Sequence, residues 1–289
     1  MQMSDVDGKG TPANGMIRVL AVTSGKGGVG KSNVSINLGL ALRARGHRVM
    51  LLDADLGLAN IDVLLGLRPE RNLAHVMDGE CELEDILLDA PGGLMVVPAA
   101  SGIKRMAEMT ASENAGLVHA FSELAGLTDV LIIDTAAGIS DSAVSFCTAA
   151  QEIIVVVCNE PASLTDAYAM IKVLNQDYGQ RRFRVLVNMA HAEEETRQLF
   201  LRLVDVCRRF LDVSLELSGA IPFDPHVRKA VQRQKPVYLA YPDSPSAQAF
   251  KELAGQADNW PVPDGASGGL EFFVERLIGH APRAGRVSA

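Results

Sequence analysis

The stretch Thr23-Ser24-Gly25-Lys26-Gly27-Gly28-Val29-Gly30-Lys31-Ser32, TSGKGGVGKS, contains the spacing G-x-x-x-x-G-K-[ST] between Gly25 and Ser32. It follows an apolar run, MIRVLAVT (16–23), and opens a helical pattern from about 31 to 45. A strand before and a helix after are the context in which this spacing builds a phosphate loop. Its glycines let backbone N–H groups close around a phosphate, and the helix N-terminus adds roughly half a positive charge. Lys31 is placed to bridge the β- and γ-phosphates, and the Ser32 hydroxyl to bind Mg²⁺. Lys26 is a second lysine that phosphate binding does not require. Read from the loop alone, it is either an exposed loop side chain or a cation meant for a phosphate elsewhere.

Further strand candidates continue along the chain: HRVMLLDAD (47–55), LMVVPA (94–99), DVLIIDT (129–135), EIIVVVC (152–158), FRVLVN (183–188) and LELSGAIP (215–222). Their near-continuous Val, Ile and Leu content suits parallel strands covered on both faces. Helical patterns, including 163–177 and 193–210, lie between them. This alternation predicts an α/β fold, a single P-loop NTPase domain over 17–257 with a mostly parallel sheet and helices on both faces. Residues 1–16 are expected to be disordered, 258–269 to form a Pro/Gly/Ser linker, and 281–289 a disordered tail.

Composition narrows the function classes. The net charge of −8 argues against a surface that is one broad nucleic-acid footprint. The arginines Arg202, Arg208 and Arg209 and the cluster Arg228, Lys229, Arg233 and Lys235 are the candidates for a local one. Cys81, Cys147, Cys158 and Cys207 show no C-x-x-C pair and no metal-ligand spacing, and are expected as buried hydrophobes. The start of the chain lacks the apolar core of a signal peptide, and no apolar run reaches the ~20 residues of a membrane span.

Two carboxylate positions close apolar strands, where ligands bind in open α/β sheets. Asp134 ends Val130-Leu131-Ile132-Ile133 and reads as the Mg²⁺-facing acid that holds a metal-bound water. Asp53 and Asp55 end the second strand on the same side. Either both serve the site or Asp55 begins the next loop, capping the helical stretch at 58–66.

The loop at Lys26–Ser32, LLDADLGLANIDVLLG (51–66) and IIDTAAGISDSA (132–143) together resemble the MinD/ParA family of deviant-Walker ATPases. What the resemblance implies is an ATP- and Mg²⁺-dependent homodimer in which two subunits sandwich two ATP molecules. Lys26 would then reach the other subunit's phosphates, Lys31 would serve its own, and Asp55 would position the attacking water. Ser32, Asp53 and Asp134 would complete the Mg²⁺ shell, the carboxylates through water. Gly25, Lys26, Gly27, Gly28, Val29, Gly30, Lys31 and Ser32 would form the nucleotide loop. Asn188 would read adenine, and Pro222 and Asp224 of the Ile221-Pro222-Phe223-Asp224 turn would line the base.

At finer grain the chain is similar to the flagellar-number regulators of that family. The segments carrying this are DADLGLANIDVLLGL (53–67), VVPAASG (96–102), DTAAGISDSAVSF (134–146), NEPASLTDAYAMIKVLN (159–175), FRVLVNMA (183–190) and LEFFVERL (270–277). The implied function is a slow ATPase that dimerises on ATP and restrains the flagellar master transcription activator (FleQ/FlrA type), with no direct sequence-specific nucleic acid. The flagellar placement GTPase FlhF is a further implied partner, although residues 1–16 show no convincing GTPase-stimulating motif. The expected location is cytoplasmic, with reversible and polar association to the inner membrane, and the expected partner surface is the helical region 163–210. The alternative is a spatial-positioning or DNA-partition ATPase.

In LEFFVERLIGH (270–280), Leu270, Phe273, Val274, Leu277 and Ile278 recur at i, i+3, i+4, i+7 and i+8, one apolar face. Eleven residues rise only about 16 Å. Such a helix either lies in a membrane interface or packs back on its own protein, and the pattern leaves both open.

Overall fold

The computed structural model describes residues 17–55, 60–98, 121, 124–261 and 273–277. Eight strands form one sheet: β1 (Arg18–Ser24), β2 (Val49–Ala54), β3 (Leu88–Ala90), β4 (Leu94–Pro98), β5 (Val130–Ala137), β6 (Glu152–Val157), β7 (Arg182–Ala190) and β8 (Ser214–Pro222). Their spatial order is β3-β4-β2-β5-β1-β6-β7-β8. Every neighbouring pair is parallel except β3 against β4. The expected strands all form, with ends moved by one or two residues, and β3 adds an antiparallel edge.

The helices are α1 (Lys31–Ala44), α2 (Ile61–Leu65), α3 (Leu73–Met77), α4 (Asp141–Ala149), α5 (Pro161–Gln176), α6 (Glu193–Phe210), α7 (Pro225–Val231), α8 (Val237–Ala240) and α9 (Pro245–Ala257). Several starts have an evident local cause. Ser140 and Ser244 cap α4 and α9, accepting the N–H groups of Ala143 and Ala247. A proline at the first position opens α5, α7 and α9, where its fixed φ suits a helix and its missing N–H costs nothing. Three glutamates in the first turn of α6 and two arginines in its last complement the helix dipole.

The buried side chains divide into two layers, one on each face of the sheet. One layer joins Phe146 of α4, Met170 of α5 and Leu199 of α6. The other joins Leu38 of α1, Ala230 of α7 and Phe250 of α9. Apolar strand residues feed both, which explains why the strand sequences hardly alternate.

The tail resolves in favour of self-packing for its described part. Residues 273–277 are helical, and Phe273, Val274 and Leu277 are buried in the α4–α6 layer. The Phe273 ring stacks on Phe146 with centroids 6.4 Å apart, and the Arg276 guanidinium donates to the Thr148 carbonyl. Leu270 and Ile278 lie outside the described residues, as do the segments 1–16 and 281–289 expected to be disordered. Two residues of the expected linker are held against the domain. Asp258 accepts from Arg45 at 2.5 Å, and Trp260 is buried beneath the Arg184 guanidinium, 4.2 Å from its ring centre.

Candidate functional site

Parallel order brings the C-terminal ends of the strands to one side of the sheet. There β1 delivers the glycine loop, β2 Asp53, β5 Asp134, β7 Asn188 and β8 Pro222. The loop's glycines have different reasons to be glycine. A Cβ on Gly25 would lie 2.0 Å from the backbone carbonyl carbon of Asp166, so the loop rests directly on α5. Gly30 has φ 89° and would place a Cβ 2.4 Å from the Asn188 amide nitrogen. Gly28 has φ 83° but open space around it.

The two lysines occupy unlike environments. Lys31, at the first position of α1, is buried, and burial lowers its pKa against the opposing pull of Asp134 and Asp55. Its ammonium thus sits in a partly desolvated pocket where an anion is the fitting partner. Lys26 stands at the surface, its side chain 37% exposed, in an ion pair with Glu160. That hydrogen bond raises the Lys26 pKa, so the side chain stays charged.

Asp53 and Asp134 are register partners across β2 and β5, and both are buried. Burial, then the Asp134 charge, pushes Asp53 up to about 7, although its oxygens accept the N–H groups of Ile61 at 3.2 Å and Asp55 at 3.3 Å. Burial likewise lifts Asp134 to about 6, against hydrogen bonds from Ser32 and Ser35 and the charge of Lys31. Burial raises both carboxylates, and the neighbouring acid charge adds to each, Asp134 to Asp53 and Asp55 to Asp134, a crowding that a divalent cation would relieve. The donor set, two carboxylates with the Ser32 hydroxyl beside them, is the oxygen chemistry Mg²⁺ prefers. The residues present therefore fit a Mg²⁺-nucleotide.

Behind the loop a cavity of about 210 Å³ is lined by Asn188, Met189, Pro222, Phe223, Asp224 and Arg228, among others. That is smaller than the ~300–1,000 Å³ of a whole ligand site, and suits one end of a ligand whose phosphates lie on the open loop. The Asn188 amide donates to the Val29 carbonyl at 2.7 Å, tying the cavity wall to the loop. Met189, next in the chain, has a left-handed backbone with φ 57°.

Asp224 lies in the cavity wall, but its oxygens are committed elsewhere. One accepts from the His226 N–H and faces His226 Nδ1. The other accepts from the Ser246 hydroxyl at 2.7 Å and N–H at 3.2 Å. It caps α7 and fastens that helix to α9. Sequence reasoning missed Ser35, which donates to Asp134 at 3.0 Å. Its position, one helical turn beyond Lys31, was a usable signal. It also missed Glu160, for which no local pattern pointed to Lys26.

A family model described as ParA, NUBPL iron-transfer P-loop NTPase, matches residues 15–257. The chain belongs to this ParA/MinD family of P-loop ATPases. Over 264 residues it is 60% identical to the antiactivator FleN of Pseudomonas aeruginosa, covering 91% of this chain and 94% of FleN. It is 32% identical over 272 residues to the flagellum site-determining protein YlxH of Helicobacter pylori, covering 91% of this chain and 90% of that one. Among solved structures, MinD from Pyrococcus horikoshii complexed with Mg-ADP is similar with TM-score 0.66 and 28% identity, over 84% of this chain and 97% of that one. The protein is thus an ATPase that uses ATP and Mg²⁺.

Of the four cysteines, Cys147, Cys158 and Cys207 are buried and Cys81 is half-buried. Cys147 and Cys207 lie in one core layer and Cys158 in the other, on opposite faces of the sheet. Burial pushes the Cys147 thiol up to about 12 and Cys207 to about 11, so both stay protonated. No helix among the described residues is long and apolar enough to cross a membrane.

Proposed function

We propose that this chain is an ATP-dependent regulator of flagellar number, which dimerises on ATP and in that state restrains a flagellar master transcription activator. The observation that carries the dimer is the division of labour between the lysines. Lys31 is buried beside Asp134, whereas Lys26 is exposed at the rim of the same loop. An exposed cation at the rim is available to a second copy, and the analogous arginine finger is worth ~10³–10⁵ in rate. The flagellar reading is supported by the 60% identity to a protein named an antiactivator.

In this reading the loop N–H groups and Lys31 hold the phosphates, and Ser32, Asp53 and Asp134 hold Mg²⁺. Bound Mg²⁺ supplies positive charge against that building on the transferred phosphoryl group. Asp55 orients the attacking water, and Lys26 of the second copy stabilises the developing charge. Asn188 and Pro222 fix the base, with Asp224 holding the wall behind it. Hydrolysis then ends the dimeric state and acts as a timer.

The reading extends to the membrane through the tail. Burying Phe273, Val274 and Leu277 stabilises the docked state by about 1.5–3 kcal/mol each, so release needs the dimer state to favour it. Two released tails on one dimer would hold a membrane surface better than one. The functional experiment adds the Asp55→Ala chain, which this reading expects to bind ATP without turning it over, to the activator with ATP and Mg²⁺ and follows the activator's own ATP turnover. Inhibition by Asp55→Ala but not by Lys31→Ala, which this reading expects to bind no ATP, supports the reading, and equal turnover with both contradicts it.

A further inference from the structure

The segment VRKAVQRQKP (227–236) carries four cations and no acid in a chain of net charge −8. Lys229 lies in the last turn of α7, and Arg233 and Lys235 follow in the turn after it, flanking Gln234. The helix dipole favours Lys229 at that end, whereas Arg233 and Lys235 lie beyond the helix and crowd like charge into one exposed turn. Among the described residues Lys229 and Lys235 have no ion pair, and the Arg233 guanidinium rests 5.9 Å over the Tyr241 ring.

Gln234 joins this basic turn to the nucleotide site. Its backbone is left-handed, φ 51°, a conformation that costs energy for a residue with a Cβ. Held that way, its side-chain amide donates to the Val63 carbonyl of α2 at 3.0 Å. A Cβ on Gly66, at the far end of α2, would lie 3.6 Å from Gln234. The near end of α2 is Ile61, whose N–H donates to Asp53 at 3.2 Å. One short helix therefore connects the buried carboxylate to the basic turn. On the outside of that helix the Val63 side chain is 59% exposed, and Arg68 stands exposed just beyond Gly66. Asp62 and Glu70 are the acids on this side.

We infer that the exposed Val63 together with the basic turn of Lys229, Arg233 and Lys235 around Gln234 docks an acidic, partly apolar segment of a protein partner. The Gln234–Val63 hydrogen bond transmits the nucleotide state to it. Charge complementarity selects the acidic partner, and the exposed Val63 among the cations selects a polypeptide over a nucleic-acid backbone. The chain's net negative charge repels a long polyanion but not a short acidic segment. Helix α6 also exposes Val206 and Phe210, but it covers β7 and β8 at the sheet edge, several strands from Asp53 and Asp134. The link to nucleotide state rests on the proposed placement of Asp53 at Mg²⁺; the surface itself does not.

The test uses the full chain, the double variant Arg233→Glu/Lys235→Glu, and Gln234→Ala. Three fluorescent probes are compared: the flagellar activator, a synthetic peptide of alternating Glu and Leu, and a duplex DNA. The double variant should bind activator and peptide at least about tenfold more weakly at low salt, the deficit shrinking at high salt. Its ATP turnover without partner should be unchanged. Gln234→Ala should keep peptide binding but lose the difference between ATP and ADP. Undiminished activator and peptide binding by the double variant overturns the inference, and so does a deficit confined to duplex DNA. If the wild-type chain binds the peptide through this face but not the activator, the surface stands and the flagellar reading fails.

Discussion

Lys26 and Glu160, 134 residues apart in the chain, are ion-paired where β1 and β6 end side by side. In the single chain, the lysine assigned to a second copy is thus held by its own neighbour. Both side chains are solvent-exposed, so the pair is weak and exchangeable, as a lysine that must change partners requires.

Glu160→Gln should therefore release Lys26 and let the chain dimerise with ATP at lower protein concentration. The gain should fade as salt screens the competing pair in the unmutated chain. Sedimentation at low and high salt reads both effects, and an unchanged monomer–dimer balance at low salt counts against the competition.

Most of this site was legible in the sequence because it is local. The loop spacing and the apolar strands ending in Asp53, Asp134 and Asn188 are short-range patterns, and parallel order then brings them together. The Lys26–Glu160 pair was not legible, because it depends on which strand lies beside β1. Asp224 reads from its motif as a base-lining residue, whereas tertiary packing gives its oxygens to His226 and Ser246. The tail's apolar stripe suits lipid and protein alike, and the stacking of Phe273 on Phe146, a contact 127 residues away in the chain, shows where it packs in the docked state. Strand β3, three residues at the sheet edge, is too short to show a period.

The glycines should rank by what surrounds them. Gly25→Ala should abolish ATP binding by collision with the α5 backbone, and Gly30→Ala should weaken it, adding displacement of the Asn188 amide to the strain of its positive φ. Gly28→Ala meets only backbone strain, about 1–2 kcal/mol, and should bind ATP with reduced affinity. Titration with a fluorescent ATP analogue checks the order, and Gly28→Ala as the most damaging of the three would refute it.

Asp224 should make stability depend on pH. Burial alone would raise its carboxyl, but hydrogen bonds from Ser246 and His226 outweigh it and hold the pKa at about 2. A folded pKa below the unfolded ~3.9 contributes stability that is complete above that value and lost as pH falls through about 2. Asp224→Asn should cost roughly 2 kcal/mol near neutral pH, from a shift of about two units. The difference should shrink between about pH 4 and pH 2. Denaturant unfolding across that range is the check, and a deficit independent of pH would contradict the assignment.

Tail release should be separable from ATP. Arg276→Ala removes the hydrogen bond to Thr148 and should increase binding of nucleotide-free protein to anionic vesicles, whereas removal of residues 262–289 should abolish vesicle binding in every nucleotide state. Vesicle co-sedimentation decides it, and ATP-dependent binding by the truncated chain would sink the tail as the anchor.

The claim that the ATP site is completed by a second copy is tested most directly by sedimentation of Asp55→Ala in ATP and Mg²⁺, alone and combined with Lys26→Ala. The account predicts a stable dimer that does not turn over for the first, and an ATP-bound monomer for the second. A monomeric Asp55→Ala protein, or a dimer that survives the loss of Lys26, would contradict it.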